Sequence, residues 1–160
     1  MKENLINLIQ SQVNWELYSA YAYYAVAEFY RHKGLDGFHK FFEKQAQEEI
    51  EHAEKFSEYL QDNDVAVSLK DIKVLNKKFD TLRDPLLFFV EHEKEVTALI
   101  HTIYREARAE DDLATLNFLE WFISEQREEE KSSKDLLDKY DNFAKDNVLA
   151  LYTLDKELGK

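Results

Sequence analysis

Cysteine is absent from the 160-residue chain, glycine occurs three times and proline once. Without thiols the chain forms no disulfide, iron–sulfur cluster, thiolate zinc site or cysteine nucleophile, and the absence fits a reducing compartment. So little glycine and proline argues against a β-sandwich or an α/β fold, whose many tight turns use those residues. Few and long elements are expected instead. Basic residues are also short, at 21 against 33 acidic ones, for a formal net charge of −12. That balance disfavours nucleic acid and anionic membranes as partners and suits the attraction of cations. Long apolar runs are missing too. The segment from Met1 to Ser11 is broken by Asn7 and Gln10, so neither a signal h-region nor a membrane span is expected, and a cytoplasmic location is the default reading. What is there, 44% apolar and 34% charged residues, suits one domain of residues 1–160 with a sizeable core.

The apolar periodicity predicts an all-α chain: a four-helix bundle over about residues 4–143 and a short fifth helix over about 146–158. A first helix runs from about Asn4 to His32, with Leu5, Ile9, Val13, Glu16, Ala20, Tyr23 and Ala27 on one stripe, and Gly34 closes it. Its half from Ala20 to Tyr30 is apolar almost all round, which predicts a second buried face. The second helix opens near Asp36 and reaches about Leu60. The third starts at Asp84-Pro85, read as an N-cap followed by proline at the first helical position, and lasts to about Ala109. The fourth runs from Asp111 or Asp112 to between Tyr140 and Phe143. About twenty residues from Asp62 to Arg83 separate helices two and three and can span roughly 60–70 Å. A helix of 25 residues is only about 38 Å long. That connection can therefore cross the whole bundle and leave helices two and three parallel, as in the ferritin-like four-helix arrangement. The fifth helix, with Val148, Leu151, Leu154 and Leu158 on one side, is surplus to a closed four-helix core and is expected to pack on another subunit.

The functional signal is acid where the core should be. Glu16 lies among Ile9, Val13, Ala20 and Tyr23; Glu49 among Phe42, Ala46, Ala53 and Phe56; Glu93 among Phe89, Val90, Val96, Thr97 and Ile100. An ionised carboxylate buried without compensation costs several kcal/mol or more, so these need a cation, a metal or a proton. No lysine or arginine shares their stripes. In an antiparallel hairpin, residues equidistant from the turn stand at one level. The midpoint of Glu16 and Glu49 falls between His32 and Lys33, and that of Glu93 and Gln126 between Ala109 and Glu110, both at expected turns. Glu49-x-x-His52 aims two ligands at one point, and Gln126-x-x-Glu129 has the same spacing. A glutamate from each of two helices with Glu-x-x-His on the others is the di-iron carboxylate design. Such oxygen-rich donors suit iron or manganese and permit zinc. Glu48, Glu125 and Glu128 sit about 100° round their helices from these positions. Glu48 and Glu125 are candidates for a subsidiary iron site as much as for solvated charge, whereas Glu128 alone reads as a solvated face. Tyr23 is a candidate redox neighbour or a core tyrosine. His32, His39, His92 and His101 read as surface or core-edge residues, and Trp15 and Trp121 as interface packing.

Four segments carry a resemblance over essentially the whole chain: Asn14-Trp-Glu-Leu-Tyr-Ser19 with Tyr23, Gln47-Glu-Glu-Ile-Glu-His52-Ala53, Val90-Glu-His-Glu93 and Ser124-Glu-Gln-Arg-Glu-Glu-Glu-Lys131. The sequence resembles the bacterial non-haem ferritins. The resemblance implies a first iron site at Glu16, Glu49 and His52 and a second at Glu49, Glu93 and Glu129 with Gln126 beside it. It also implies a third site at Glu48, Glu125, Glu128 and Glu129, and catalytic neighbours in Tyr23 and Gln126. It further implies a hollow shell of 24 subunits that oxidises Fe(II) with O2 or H2O2 and stores ferric mineral, with the fifth helix at fourfold axes. Two departures stand out. Haem, which bacterioferritins hold through methionine, is not expected, since Met1 is the sole methionine. Where animal ferritins place acids in threefold channels, this chain has Leu116 and Leu119. Alternatives of other kinds are a zinc-buffering helical protein and a di-iron peroxidase without storage.

Overall fold

The computed structural model describes residues Met1–Lys160. Five α-helices follow one another: α1 Glu3–His32, α2 Asp36–Asp62, α3 Asp84–Ala109, α4 Leu113–Lys139 and α5 Val148–Leu158, with a π-helical turn at Tyr140–Ala144 between the last two. There are no strands. Gly34, at φ +76°, takes the left-handed conformation that turns the chain from α1 into α2. Asp112 caps α4, its Oδ1 accepting from Thr115 N at 3.0 Å.

Helix directions follow from which ends share a core. One apolar cluster joins Tyr23, Val26 and Tyr30 near the end of α1, Phe38 and Phe42 at the start of α2, Leu86 and Phe89 at the start of α3, and Leu136 and Leu137 at the end of α4. A second joins Leu5 and Ile9 of α1, Phe56 and Leu60 late in α2, Ile100 and Ile103 late in α3, and Leu119 and Phe122 early in α4. α2 and α3 are therefore parallel, and α1 and α4 run against them. The crossover from Asn63 to Arg83 spans the bundle without regular structure. Two α1 amides hold it like rungs of a ladder. Gln10 donates to Ala66 O at 2.7 Å and accepts from Ser68 N at 2.9 Å; Asn14 donates to Ser68 O at 2.9 Å and accepts from Lys70 N at 2.8 Å. Backbone groups of an exposed extended segment are thus satisfied without a sheet.

Two local expectations need correction. Asp84 lies inside α3 rather than at its cap: Arg83 holds that position, and the Asp84 carboxylate turns back to accept from Asp80 N and Thr81 N at 2.8 and 2.9 Å. An aspartate with two upstream backbone donors in reach stabilises the preceding turn instead of the helix end. α5 starts at Val148, after an Asn147 cap, within two residues of the expected start. Its leucines are also less free than their stripe suggests. Leu154 is buried in the first cluster, Leu151 and Leu158 pack against it, and Val148, of the same stripe, is 84% exposed. The second apolar face expected of α1 is uncovered in the single chain, with Tyr21 and Tyr24 each 47% exposed.

α5 is anchored by a contact across 117 positions of sequence. The buried Asp155 places Oδ1 2.9 Å from Phe38 N, giving α2 the N-terminal carboxylate that its own cap residue, Leu35, lacks. The approach is close enough that a Cβ at Gly37 would lie 1.6 Å from Asp155 O. Gly37→Ala is therefore expected to undock α5, at about 1–3 kcal/mol of overpacking strain. Faster proteolysis and hydrogen exchange confined to α5 check this; wild-type protection of α5 in the variant would show that the corner relaxes instead.

Candidate metal centre

Between the two apolar clusters lies a polar layer, contributed by the middle of each long helix. Glu16, Glu49, His52, Glu93, Gln126 and Glu129 are all buried there. Each stands on the stripe that packs inward, so helix periodicity alone delivers it to the bundle axis. One donor atom each from Glu16, Glu49 and His52 lies within 4.8 Å of the others, a spacing that suits one shared ion. His52 Nδ1 is 3.1 Å from Glu49 Oε2. Across the layer, Gln126 Nε2 donates to Glu93 Oε2 at 3.1 Å, and the Tyr23 hydroxyl donates to Glu93 Oε1 at 2.5 Å. Glu129 accepts from Gln45 Nε2 at 3.0 Å and Glu16 from Gln12 Nε2 at 2.9 Å, while Glu16 Oε2 is buried without a hydrogen-bond donor.

No lysine or arginine pairs with these carboxylates; their one cationic candidate is His52. Burial, followed by mutual repulsion, accordingly pushes their proton affinities up. Glu16 is raised well above the usual range by desolvation and then by Glu49. Glu49 is raised by desolvation and then by Glu93. Glu93 is raised by desolvation, against which its hydrogen bonds from Tyr23 and Gln126 work. Glu129 is pushed up to about 9 by desolvation, then by Glu93, Glu48 and Glu125. The Tyr23 phenol, buried beside Glu93, is raised as well. In the metal-free layer, protons take the place that a cation would hold.

Glu48 and Glu125 are half-buried at the edge of this layer, and His52 Nε2 reaches to 3.8 Å from Glu125 Oε1. Burial raises Glu48, with Lys44 opposing. Glu128 is exposed. Trp121 is 43% exposed, with its ring centroid 5.5 Å from that of His52.

Two of the histidines read as surface or core-edge residues are buried at the rim of the packed layers. His39 is buried, Nδ1 2.9 Å from Ala27 O, and His92 is buried with Nε2 2.7 Å from Ser19 Oγ. Desolvation lowers His92 to about 4, so its ring is neutral. Gln12 and Gln45 escaped the sequence reading, which placed Thr97 only as a neighbour on the stripe of Glu93. Gln12 and Gln45 stand four residues before Glu16 and Glu49 on the same stripes, and a buried amide one turn from a buried acid is a signal available from spacing alone. Thr97 Oγ1 accepts from Gln126 Nε2 at 3.2 Å and donates to Glu130 Oε2 at 2.9 Å. Leu119 is fully buried within the bundle, and Leu116 packs beside it.

A four-helix bundle with one long crossover, enclosing a layer of carboxylates with one imidazole, is the architecture of the carboxylate metal proteins. The ferritin-like domain family matches residues 6–143. A bacterial non-heme ferritin of Campylobacter jejuni is 33% identical over 87% of this chain and 83% of its own length. A probable bacterial non-heme ferritin-like protein of Haemophilus influenzae is 31% identical over 99% of this chain and 96% of its own. Among solved structures, an open pore ferritin from the hyperthermophilic archaeon Archaeoglobus fulgidus superposes with a TM-score of 0.96 at 34% identity, covering 99% of this chain and 98% of that one. This chain belongs to the ferritin family.

Proposed function

We propose that the protein is an iron-storage subunit with ferroxidase activity. The observation that carries this reading is the buried layer of four carboxylates and one imidazole with no lysine or arginine to neutralise it. In this reading Fe(II) is substrate and cargo. A first ion takes Glu16, Glu49 and His52, a second takes Glu49, Glu93 and Glu129 beside Gln126, and Glu49 bridges the two. Metal binding displaces the protons that burial holds on these carboxyls, which ties affinity to pH. Two Fe(II) ions and O2 with two protons give two Fe(III) ions and H2O2; H2O2 serves as an alternative oxidant. Glu48 and Glu125, half-buried beside Glu129, are placed to receive iron leaving the pair. Assembly belongs to the same reading. The uncovered Tyr21 and Tyr24 on α1 and Phe143, Val148, Leu149 and Tyr152 around α5 suit burial between copies. Twenty-four chains of 19.0 kDa make a cytoplasmic shell of about 0.46 MDa.

Anaerobic Fe(II) titration, followed by oxygen and by particle-mass measurement, tests the whole. Two Fe(II) bound per chain, rapid oxidation and a particle near that mass are expected. A dimer that binds zinc without oxidising iron would overturn the reading in favour of a metal buffer. Changing Glu48 and Glu125 together to alanine is expected to spare binding of the first two ions and to change the ratio of iron oxidised to O2 consumed, while Glu128→Ala alone leaves both unchanged. Oxygen-electrode titration checks it; an unchanged ratio in the double variant returns both residues to solvated charge.

A further inference from the structure

Trp15 precedes Glu16 on α1 and is partly exposed. Its indole stacks on the His92 imidazole of α3, with ring centroids 5.5 Å apart and planes at 17°. His92 in turn meets the Tyr23 ring edge-on, also at 5.5 Å. Tyr23 is fully buried, and its hydroxyl ends on Glu93 Oε1 inside the carboxylate layer. Ser19 fixes the alignment: its Oγ lies 2.7 Å from His92 Nε2 and donates to Trp15 O at 2.9 Å. Three aromatic rings thus run in contact from solvent to the proposed reaction centre. Ordinary packing accounts for stacked rings. It does not account for an indole N–H that is buried with no acceptor, since buried tryptophans usually find one.

We propose that Trp15, His92 and Tyr23 form an electron relay through which a one-electron donor at the protein surface reduces peroxide at the carboxylate layer. The supply of peroxide rests on the ferroxidase reading above; the relay itself does not. As peroxide takes two electrons and two protons and its O–O bond breaks to give two H2O, Tyr23 supplies each electron in turn, its phenol proton passing to Glu93 Oε1. The Tyr23 radical is refilled from Trp15 across the His92 ring and recovers its proton from Glu93. With no base at Nε1, oxidised Trp15 keeps its proton and stays a strongly oxidising cation, so it neither traps the hole nor resists reduction by a donor such as ascorbate. Two passes complete the reaction: H2O2 and two HA⁻ give two H2O and two A•⁻, each HA⁻ supplying one electron and one proton. Tyr18 is partly exposed, with centroids 5.1 Å from Trp15 and 6.1 Å from His92, and offers a second port on the same relay.

Two measurements test the relay. In iron-loaded protein given H2O2 and ascorbate, freeze-quench EPR is expected to show a tyrosyl radical. Its lifetime should lengthen about tenfold in Trp15→Phe/Tyr18→Phe, with initial Fe(II) oxidation unchanged. Equal lifetimes in the two proteins would overturn the relay while leaving the ferroxidase reading intact, and absence of Fe(II) oxidation in wild type would remove that reading alone. The second measurement uses iron-free protein and a flash-generated one-electron oxidant. A tyrosyl signal that vanishes in Tyr23→Phe and falls about tenfold in the Trp15→Phe/Tyr18→Phe variant is expected. A Tyr23 signal of full yield without Trp15 and Tyr18 would show that the hole reaches Tyr23 by another path.

Discussion

Replacing Glu49 and His52 together by alanine is expected to abolish the fast phase of Fe(II) oxidation, by about 100-fold or more, because even residues that only support metal ligands are worth about 10–100-fold. Glu49 shares the first proposed ion with Glu16 and His52 and faces Glu93 across the layer, so its loss disconnects both halves. The fold should survive. Removing Glu49 deletes a carboxyl whose burial is a cost in the metal-free state, while truncating His52 opens a void beside Phe122 and Trp121, for about 2 kcal/mol. Stopped-flow absorbance against a thermal melt separates the two effects. Glu49→Gln, which keeps the volume and removes the charge, guards against a variant too unstable to read. Wild-type oxidation rates in a folded double variant would remove the assignment of the site.

The same arithmetic that places Glu49 explains how far the sequence could be read. Helix phase is a local property, so the inward stripes of α1 to α4 and the level of Glu16 against Glu49, or of Glu93 against Gln126, follow from spacing and turn position. The structure joins both pairs: Glu16 and Glu49 are two of three donors within 4.8 Å, and Gln126 donates to Glu93. What resisted reading depends on partners distant in sequence. Nothing near Asp155 announces that its carboxylate caps α2 at Phe38. Nothing near Gln10 or Asn14 announces a crossover segment lying along α1. His92 looks like a polar residue next to Glu93 until the neighbouring helix supplies Ser19, Trp15 and Tyr23 to surround it. Asp84 shows the converse. Its local signature fits a cap, but two upstream backbone donors outcompete the helix end.

Glu16→Gln/Glu129→Gln is expected to be more stable than the wild type at pH 8 when both are free of metal, by several kcal/mol. Both carboxyls are buried, and both are raised above the ordinary value of 4.5, Glu129 to about 9. A raised folded-state value means that the native protein binds a proton the unfolded chain has already released. The stability this contributes is complete below about pH 4.5 and declines as pH rises toward the folded value. The decline is about 1.4 kcal/mol per pH unit for each group. Asp84 and Asp141, held below the usual carboxylate range by hydrogen bonds from Thr81 and Arg83, work in the opposite sense, in acid near and below their ordinary 3.8. His92, lowered by burial to about 4, also works in the opposite sense, but its contribution is complete once pH passes its ordinary 6.5, so from there to pH 8 the buried glutamates set the slope. Glutamine copies the protonated carboxyl. At position 16 its amide oxygen can still accept from Gln12 while its N–H is offered toward Glu49, and at position 129 it can still accept from Gln45. Urea midpoints of the metal-free wild type should fall from pH 5 to pH 8 while those of the variant change less. Anaerobic Fe(II) should then reverse the order, stabilising the wild type by mass action and leaving the variant nearly unmoved. A metal-free variant less stable than wild type at pH 8 would mean that Glu16 and Glu129 are held as charged structural partners, and that the layer is not poised to exchange protons for iron.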